Sequence, residues 1–138
     1  MIRLEAIDHV VFRVADIGSS IRFYTEVLGA TVEKVQEGIG LYQLRAGTSL
    51  IDLVPLEGPL GQMGGAGPGD EGRNVDHVCF RVAEWDEPAL IAHLGGHGIA
   101  AKVTRRYGAE GDGPSVYLRD PDGNGLELKG PPGPPAGL

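Results

Sequence analysis

Polar and apolar residues alternate over Ile7-Asp8-His9-Val10-Val11-Phe12-Arg13-Val14-Ala15, and the pattern returns over Val75-Asp76-His77-Val78-Cys79-Phe80-Arg81-Val82-Ala83 with seven of nine positions identical. Alternation of period two predicts a strand at each place, with successive side chains on opposite faces. Val10, Phe12 and Val14 then share one face, suited to packing under a helix, and His9, Val11 and Arg13 share the other. The second copy divides in the same way, with His77, Cys79 and Arg81 opposite Val78, Phe80 and Val82. A self-match of this kind means two copies of one supersecondary unit. If an approximate two-fold axis relates them, His9 and His77 face one shared volume.

The rest of the chain fits the same duplication. After the first strand, capping residues at 16–20 precede Ile17, Ile21, Tyr24 and Leu28 at helical spacing, and Gly29 closes a helix over 17–28. Two strands over 30–37 and 39–46 meet at Gly38, and a third, Leu50–Val54, is stopped by Pro55, so the first half reads β-α-β-β-β. Residues 57–73 hold seven glycines and two prolines and read as a linker, lacking the Gly-Lys-Ser/Thr ending of a phosphate loop. The second half predicts a strand at 75–83 and a helix at 86–95 with Pro88 in its first turn and Leu90, Ile91 and Leu94 as its stripe. Strands at 99–106 and 114–119, the turn Asp120-Pro121-Asp122-Gly123-Asn124 and a last strand Gly125–Lys129 complete it. The organisation expected is a single domain over 1–138, with modules at 1–56 and 74–130, a linker at 57–73 and a flexible tail at 131–138.

Composition narrows the function. A net charge of −7, with no basic run longer than Arg105-Arg106, argues against nucleic acid or an anionic membrane as partner. No 18-residue apolar stretch and no signal-peptide core are present, so the reading is a cytoplasmic protein. The single cysteine, Cys79, falls mid-strand and reads as a small buried hydrophobe rather than a nucleophile. His93 and His97 have the spacing of a helical metal pair, but Gly95 and Gly96 between them are expected to end the helix, which leaves both as surface histidines.

Two carboxylates join the two strand histidines. Glu127 lies between Leu126 and Leu128, and Asp52 between Ile51 and Leu53 in the equivalent strand. A carboxylate held among apolar neighbours needs water, a partner or a metal. His9, Asp52, His77 and Glu127 thus occupy matching places in the two copies.

Asp8-His9-Val10, Ile21-Arg22-Phe23-Tyr24-Thr25-Glu26-Val27-Leu28-Gly29, Asp76-His77-Val78 and the turn 120–124 followed by Glu127 together resemble the vicinal oxygen chelate superfamily. That group includes glyoxalase I, extradiol dioxygenases, fosfomycin-resistance thiol transferases and bleomycin-resistance proteins. The resemblance implies an α+β fold of two βαβββ modules forming a cupped mixed sheet with helices on the outer face. It also implies a divalent metal (Zn, Ni, Mn or Fe) held by His9, Asp52, His77 and Glu127, a small-molecule substrate, and a homodimer. Asp52 departs from the glutamate usual in glyoxalase I and is one methylene shorter.

Four activities compete. A glyoxalase-like lyase or isomerase would use Glu127 as base, with Asp52 as its counterpart. An iron dioxygenase would use two histidines and one carboxylate as a facial triad, though the further active-site histidine usual in that group has only His93 and His97 as candidates. A fosfomycin-type thiol transferase would need cations facing the metal, for which Arg13, Arg81 and Arg119 are candidates. A metal-free drug-sequestering module would need no ligand set at all.

Overall fold

A computed structural model of the chain describes residues 1–71, 73 and 75–135. It divides into two compact units, Met1–Arg73 and Asn74–Leu138. The fold is α+β, and each unit carries its own mixed four-stranded sheet.

In the first unit, strand β1 (His9–Val14) leads into helix α1 (Ile17–Arg22), followed by β2 (Thr31–Gln36), β3 (Leu41–Ala46) and β4 (Ser49–Pro55). The sheet order is β1-β4-β3-β2, with β1 parallel to β4 and the other pairs antiparallel. Short turns make the antiparallel pairs. Gly47-Thr48 joins β3 to β4 where Ala46 faces Ser49, and Gly47 has φ +61°, the positive first position of a type II′ hairpin.

The expected 17–28 helix divides in two. Asp16 caps α1 by accepting from Ser19 N at 3.0 Å. Beyond Arg22 the backbone widens into a π-turn over Phe23–Val27, with Leu28 N donating to Phe23 O. Thr25 Oγ1 donates to Ile21 O at 2.7 Å, occupying a carbonyl the helix would otherwise use. Tyr24 is wholly buried there and stacks on Phe12 with centroids 5.9 Å apart. With Val14, Leu44, Ile51 and Leu53 it forms the core under the helix.

The second unit repeats the plan with β5 (Val78–Arg81), helix α3 (Glu87–Gly96), β6 (Val103–Gly108), β7 (Gly111–Arg119) and β8 (Gly125–Lys129), in sheet order β5-β8-β7-β6. Strand β5 is shorter than the expected 75–83. Helix α3 is capped by Asp86 through Ala89 N at 3.2 Å, and Leu94 is fully buried. Its last residue is Gly96, one beyond the expected 95, so the glycine pair does stand at its end, with His97 as the C-cap. Gly98, with φ +77°, is the terminator: its N–H donates to Gly95 O and Ile99 N to Leu94 O, the two bonds of a Schellman motif. The turn between β7 and β8 is fixed by Asp120, whose carboxylate accepts from the backbone N–H groups of Asp122 and Asn124 and from Asn124 Nδ2.

Two stretches are more ordered than their composition suggests. Within 57–73, Pro59–Met63 forms a short helix α2. Arg13 fastens it: the guanidinium donates to Gly61 O at 2.8 Å, to Ala66 O at 3.1 Å and to Gly65 O. In the tail, Gly130 N donates to Pro114 O and Gly133 N to Asp112 O, so the chain continues alongside β7 after β8 ends. The remainder of the tail, 136–138, lies outside the described residues.

Candidate metal site

Sheet register places the site residues. In the second unit Cys79, Glu127 and Tyr117 stand in one row across β5, β8 and β7, and Lys129 and Ser115 stand in the next. Alternation puts all of them on the face opposite Leu126, Leu128 and Val116. His77 precedes β5 and comes in over Gly125, where a Cβ would lie 2.5 Å from Asp76 O and 3.1 Å from His77 Cβ. Only glycine allows that approach.

His77 and Glu127 meet. His77 Nε2 lies 3.0 Å from Glu127 Oε1, and Ser115 Oγ donates to Glu127 Oε2 at 2.6 Å. Glu127 is only 5 % exposed. Burial pushes its carboxyl upward, but hydrogen bonds from Ser115 and Tyr117 and then the charge of His77 outweigh this and hold it below its ordinary value. On the other nitrogen, His77 Nδ1 is 2.7 Å from Asp76 Oδ2, and that bond is the main cause of the raised pKa of His77. Tyr117 packs edge-on to His77, centroids 5.5 Å apart, beneath the Arg106 guanidinium. Burial and then its hydrogen bond to Glu127 raise the Tyr117 phenol. Cys79, in the same row, is exposed rather than buried as its mid-strand place suggests; partial desolvation of the thiol and the neighbouring Glu127 charge push it up to about 11, so it stays a thiol.

The first unit holds the matching residues in a looser arrangement. Val11, Asp52 and Gln43 form the equivalent row. Asp52, 3 % exposed, accepts from Gln43 Nε2 at 3.3 Å on each oxygen. His9 Nδ1 is 2.7 Å from Asp8 Oδ1. That bond, followed by the nearby Asp52 charge, raises the His9 pKa. His9 and Asp52 share a face and a field but no hydrogen bond.

The donor set suits a divalent metal. A histidine ligand is neutral and offers one ring nitrogen, the other being fixed by an outer partner. Asp8 and Asp76 hold Nδ1 in both copies, and in the second unit the other nitrogen, Nε2, lies against the carboxylate of Glu127. Among the described residues, no three His, Cys, Asp or Glu side chains come together as a ready metal cluster. Each unit presents one histidine and one carboxylate.

The three arginines considered as phosphonate-binding cations are engaged elsewhere. Arg13 holds the 61–66 carbonyls, Arg81 pairs with Glu110 at 2.7 Å, and Arg119 donates to Gly123 O at 2.8 Å.

The family model described as the Glyoxalase/Bleomycin resistance protein/Dioxygenase superfamily matches residues 6–128. The chain belongs to that superfamily. It is 32 % identical over 129 residues to Virulence protein STM3117 of Salmonella typhimurium, covering 91 % of this chain and 83 % of that protein. The crystal structure of that protein matches with a TM-score of 0.75 at 28 % identity, over 94 % of this chain and 99 % of the other. Metallothiol transferase FosB of Bacillus licheniformis is 27 % identical over 128 residues, covering 91 % of this chain and 75 % of the relative. A lactoylglutathione lyase structure from Agrobacterium tumefaciens shares the fold, with a TM-score of 0.65 at 20 % identity over 92 % of this chain and 94 % of that one. The superfamily fold is therefore the fold of this chain.

Within a superfamily chain of this kind, sequence reasoning missed the residues that tune the carboxylates. Ser115, Tyr117 and Gln43 were not singled out, and Gly125 was read only as a strand start. A signal existed for Tyr117: it lies as far before Asp122, the centre of the Asp-Pro-Asp-Gly turn, as Glu127 lies after it, so a hairpin there sets the two opposite each other. Asp8 and Asp76 stood inside the repeat itself.

Proposed function

We propose that the chain is a divalent-metal-dependent lyase or isomerase of glyoxalase type, acting on a small substrate that offers two neighbouring oxygens. The observation that carries this reading is the His77–Glu127 contact, with the imidazole anchored on Asp76 and the carboxylate on Ser115. His9, His77 and Glu127 are the proposed ligands, with Asp52 completing the set directly or through water. A bound divalent ion supplies Lewis acidity toward the substrate oxygens and acidifies the neighbouring C–H.

The chain's own residues account for the proton. Glu127 is ionised at neutral pH and takes the proton from carbon, while the electron pair of that bond moves onto the carbonyl oxygen. Return of the proton to the adjacent carbon, with the neighbouring hydroxyl proton passing to the former carbonyl oxygen, completes an isomerisation with atoms and charge balanced. Ser115 fixes one carboxylate oxygen, so the other is the one that moves the proton. Asp52, held by Gln43, is the counterpart in the first unit. A homodimer, which the resemblance implies, and a cytoplasmic location belong to the same proposal; among the described residues no helix is long and apolar enough to cross a membrane.

The thiol-transferase reading draws support from the FosB similarity, but Arg13, Arg81 and Arg119 are engaged elsewhere, which leaves Arg106, over the Tyr117 ring, as the arginine beside the site. The dioxygenase reading lacks its extra histidine on the site face, since His93 and His97 are exposed on α3.

Metal analysis of protein purified without added metal, followed by assay with a thiohemiacetal of an α-oxo aldehyde, tests the proposal. Nickel or zinc with thioester formation is the expected result. Bound iron with oxygen uptake on a catechol, or no metal at any occupancy, would overturn it.

A further inference from the structure

We propose that the last turn of α3 is a separate divalent transition-metal site, in which the imidazoles of His93 and His97 chelate one ion of the Cu²⁺ or Zn²⁺ class. No residue of the site described above takes part, so this inference stands or falls independently of the proposed function.

The geometry rests on the last turn of the helix, which closes on its glycines between the two histidines. Because α3 runs to Gly96 and His97 caps it, residues 93 and 97 lie on one face, a turn apart. Their rings are in contact, with centroids 4.9 Å apart and planes at 66°. Two imidazoles sharing a tetrahedral ion at a metal–nitrogen distance of about 2.0 Å have centroids roughly 5 Å apart, so the pair is already spaced for chelation. Both histidines are exposed, and water can fill the remaining positions.

The glycines give the pair its setting. A Cβ at Gly95 or Gly96 would meet nothing within 4 Å, and neither residue has the positive φ that demands glycine. The fold therefore needs glycine at neither position. Their effect is local: they weaken the final turn, because glycine is a poor helix former. An ion held by His93 and His97 cross-links that turn. Imidazole donors favour Cu²⁺ over Zn²⁺ and Ni²⁺ in the usual order of divalent affinities.

Tag-free protein carrying both His9→Ala and His77→Ala, which removes both imidazoles of the strand site, is titrated with Cu²⁺ and compared with the same protein also carrying His97→Gln. The expected result is one ion with two-nitrogen hyperfine structure in the electron paramagnetic resonance spectrum, a melting temperature that rises with Cu²⁺, and affinity about a hundredfold weaker once the second donor is lost. Unchanged affinity and spectrum in the His97→Gln protein would overturn the proposal, as would the absence of micromolar binding before that substitution. If the double variant does not fold, wild type and His97→Gln are compared by stoichiometry. One ion fewer in the variant supports the site, and equal numbers refute it.

Discussion

His77 Nε2 and Glu127 Oε1 lie 3.0 Å apart, whereas His9 and Asp52, at the matching places of the first unit, make no hydrogen bond to each other. The asymmetry has three causes. Aspartate is one methylene shorter than glutamate, and Asp52 is turned to the Gln43 amide. Strand spacing contributes as well: Gly125 lets His77 settle onto β8, while His9 stands opposite Leu50.

The carboxylates are therefore expected to respond unequally. Glu127→Gln should keep the fold, since the amide is nearly isosteric, and lose most of the activity and much of the bound metal. Asp52→Asn should retain more of both, because its nearest partner is an amide rather than the histidine. Bound metal and melting temperature of the two variants check this. A purely structural Glu127 would instead lose about 1.5–3 kcal/mol of stability with metal content unchanged.

The His77–Glu127 pair has a defined pH window in the metal-free protein. Glu127 is held below its ordinary 4.5, so its contribution is present above that value and is lost as pH falls through the lower folded value. His77 is raised above 6.5, so its contribution is full below 6.5 and is lost as pH rises through the higher folded value. Melting temperatures of wild type and Glu127→Gln should differ most at mildly acid pH, near 5 to 6. Metal affinity should rise with pH as the His77 proton leaves.

Gly125→Ala tests how His77 is positioned. The added methyl would sit 2.5 Å from Asp76 O, so the segment before β5 must move away. The expected outcome is weaker metal binding, with stability reduced by about 1–3 kcal/mol. The His77 imidazole resonances should shift while those of His93 stay in place.

Arg13→Ala should release the stretch it fastens. Loss of its bonds to Gly61, Gly65 and Ala66 leaves α2 and the following glycines without their anchor, and limited proteolysis should cut within 61–69 faster than in wild type. Arg13→Lys should restore little, since one ammonium cannot reproduce the guanidinium fork. An unchanged cleavage rate would mean that the loop is held by other contacts.

Much of this protein was readable before any coordinates. The nine-residue repeat alone announced two similar modules, and strand alternation put His9, His77, Asp52 and Glu127 opposite the leucines and valines, because the side-chain period of a strand is two whatever it packs against. The Asp-Pro-Asp-Gly-Asn hairpin and the capping aspartates were legible for the same reason: each works within a few residues of itself. Sequence did not determine which glycine ends α3. Three glycines stand near the end, and only Gly98 takes the left-handed conformation and closes the Schellman bonds. Nor did it foresee the π-turn after α1, where the Thr25 hydroxyl competes with the backbone. Tertiary structure alone decided that Ser115 and Tyr117 hold Glu127, that Gln43 holds Asp52 and that Arg13 grips the glycine-rich stretch. Those contacts join residues 9 to 53 positions apart, and their geometry follows from register and from close approaches that no local propensity encodes.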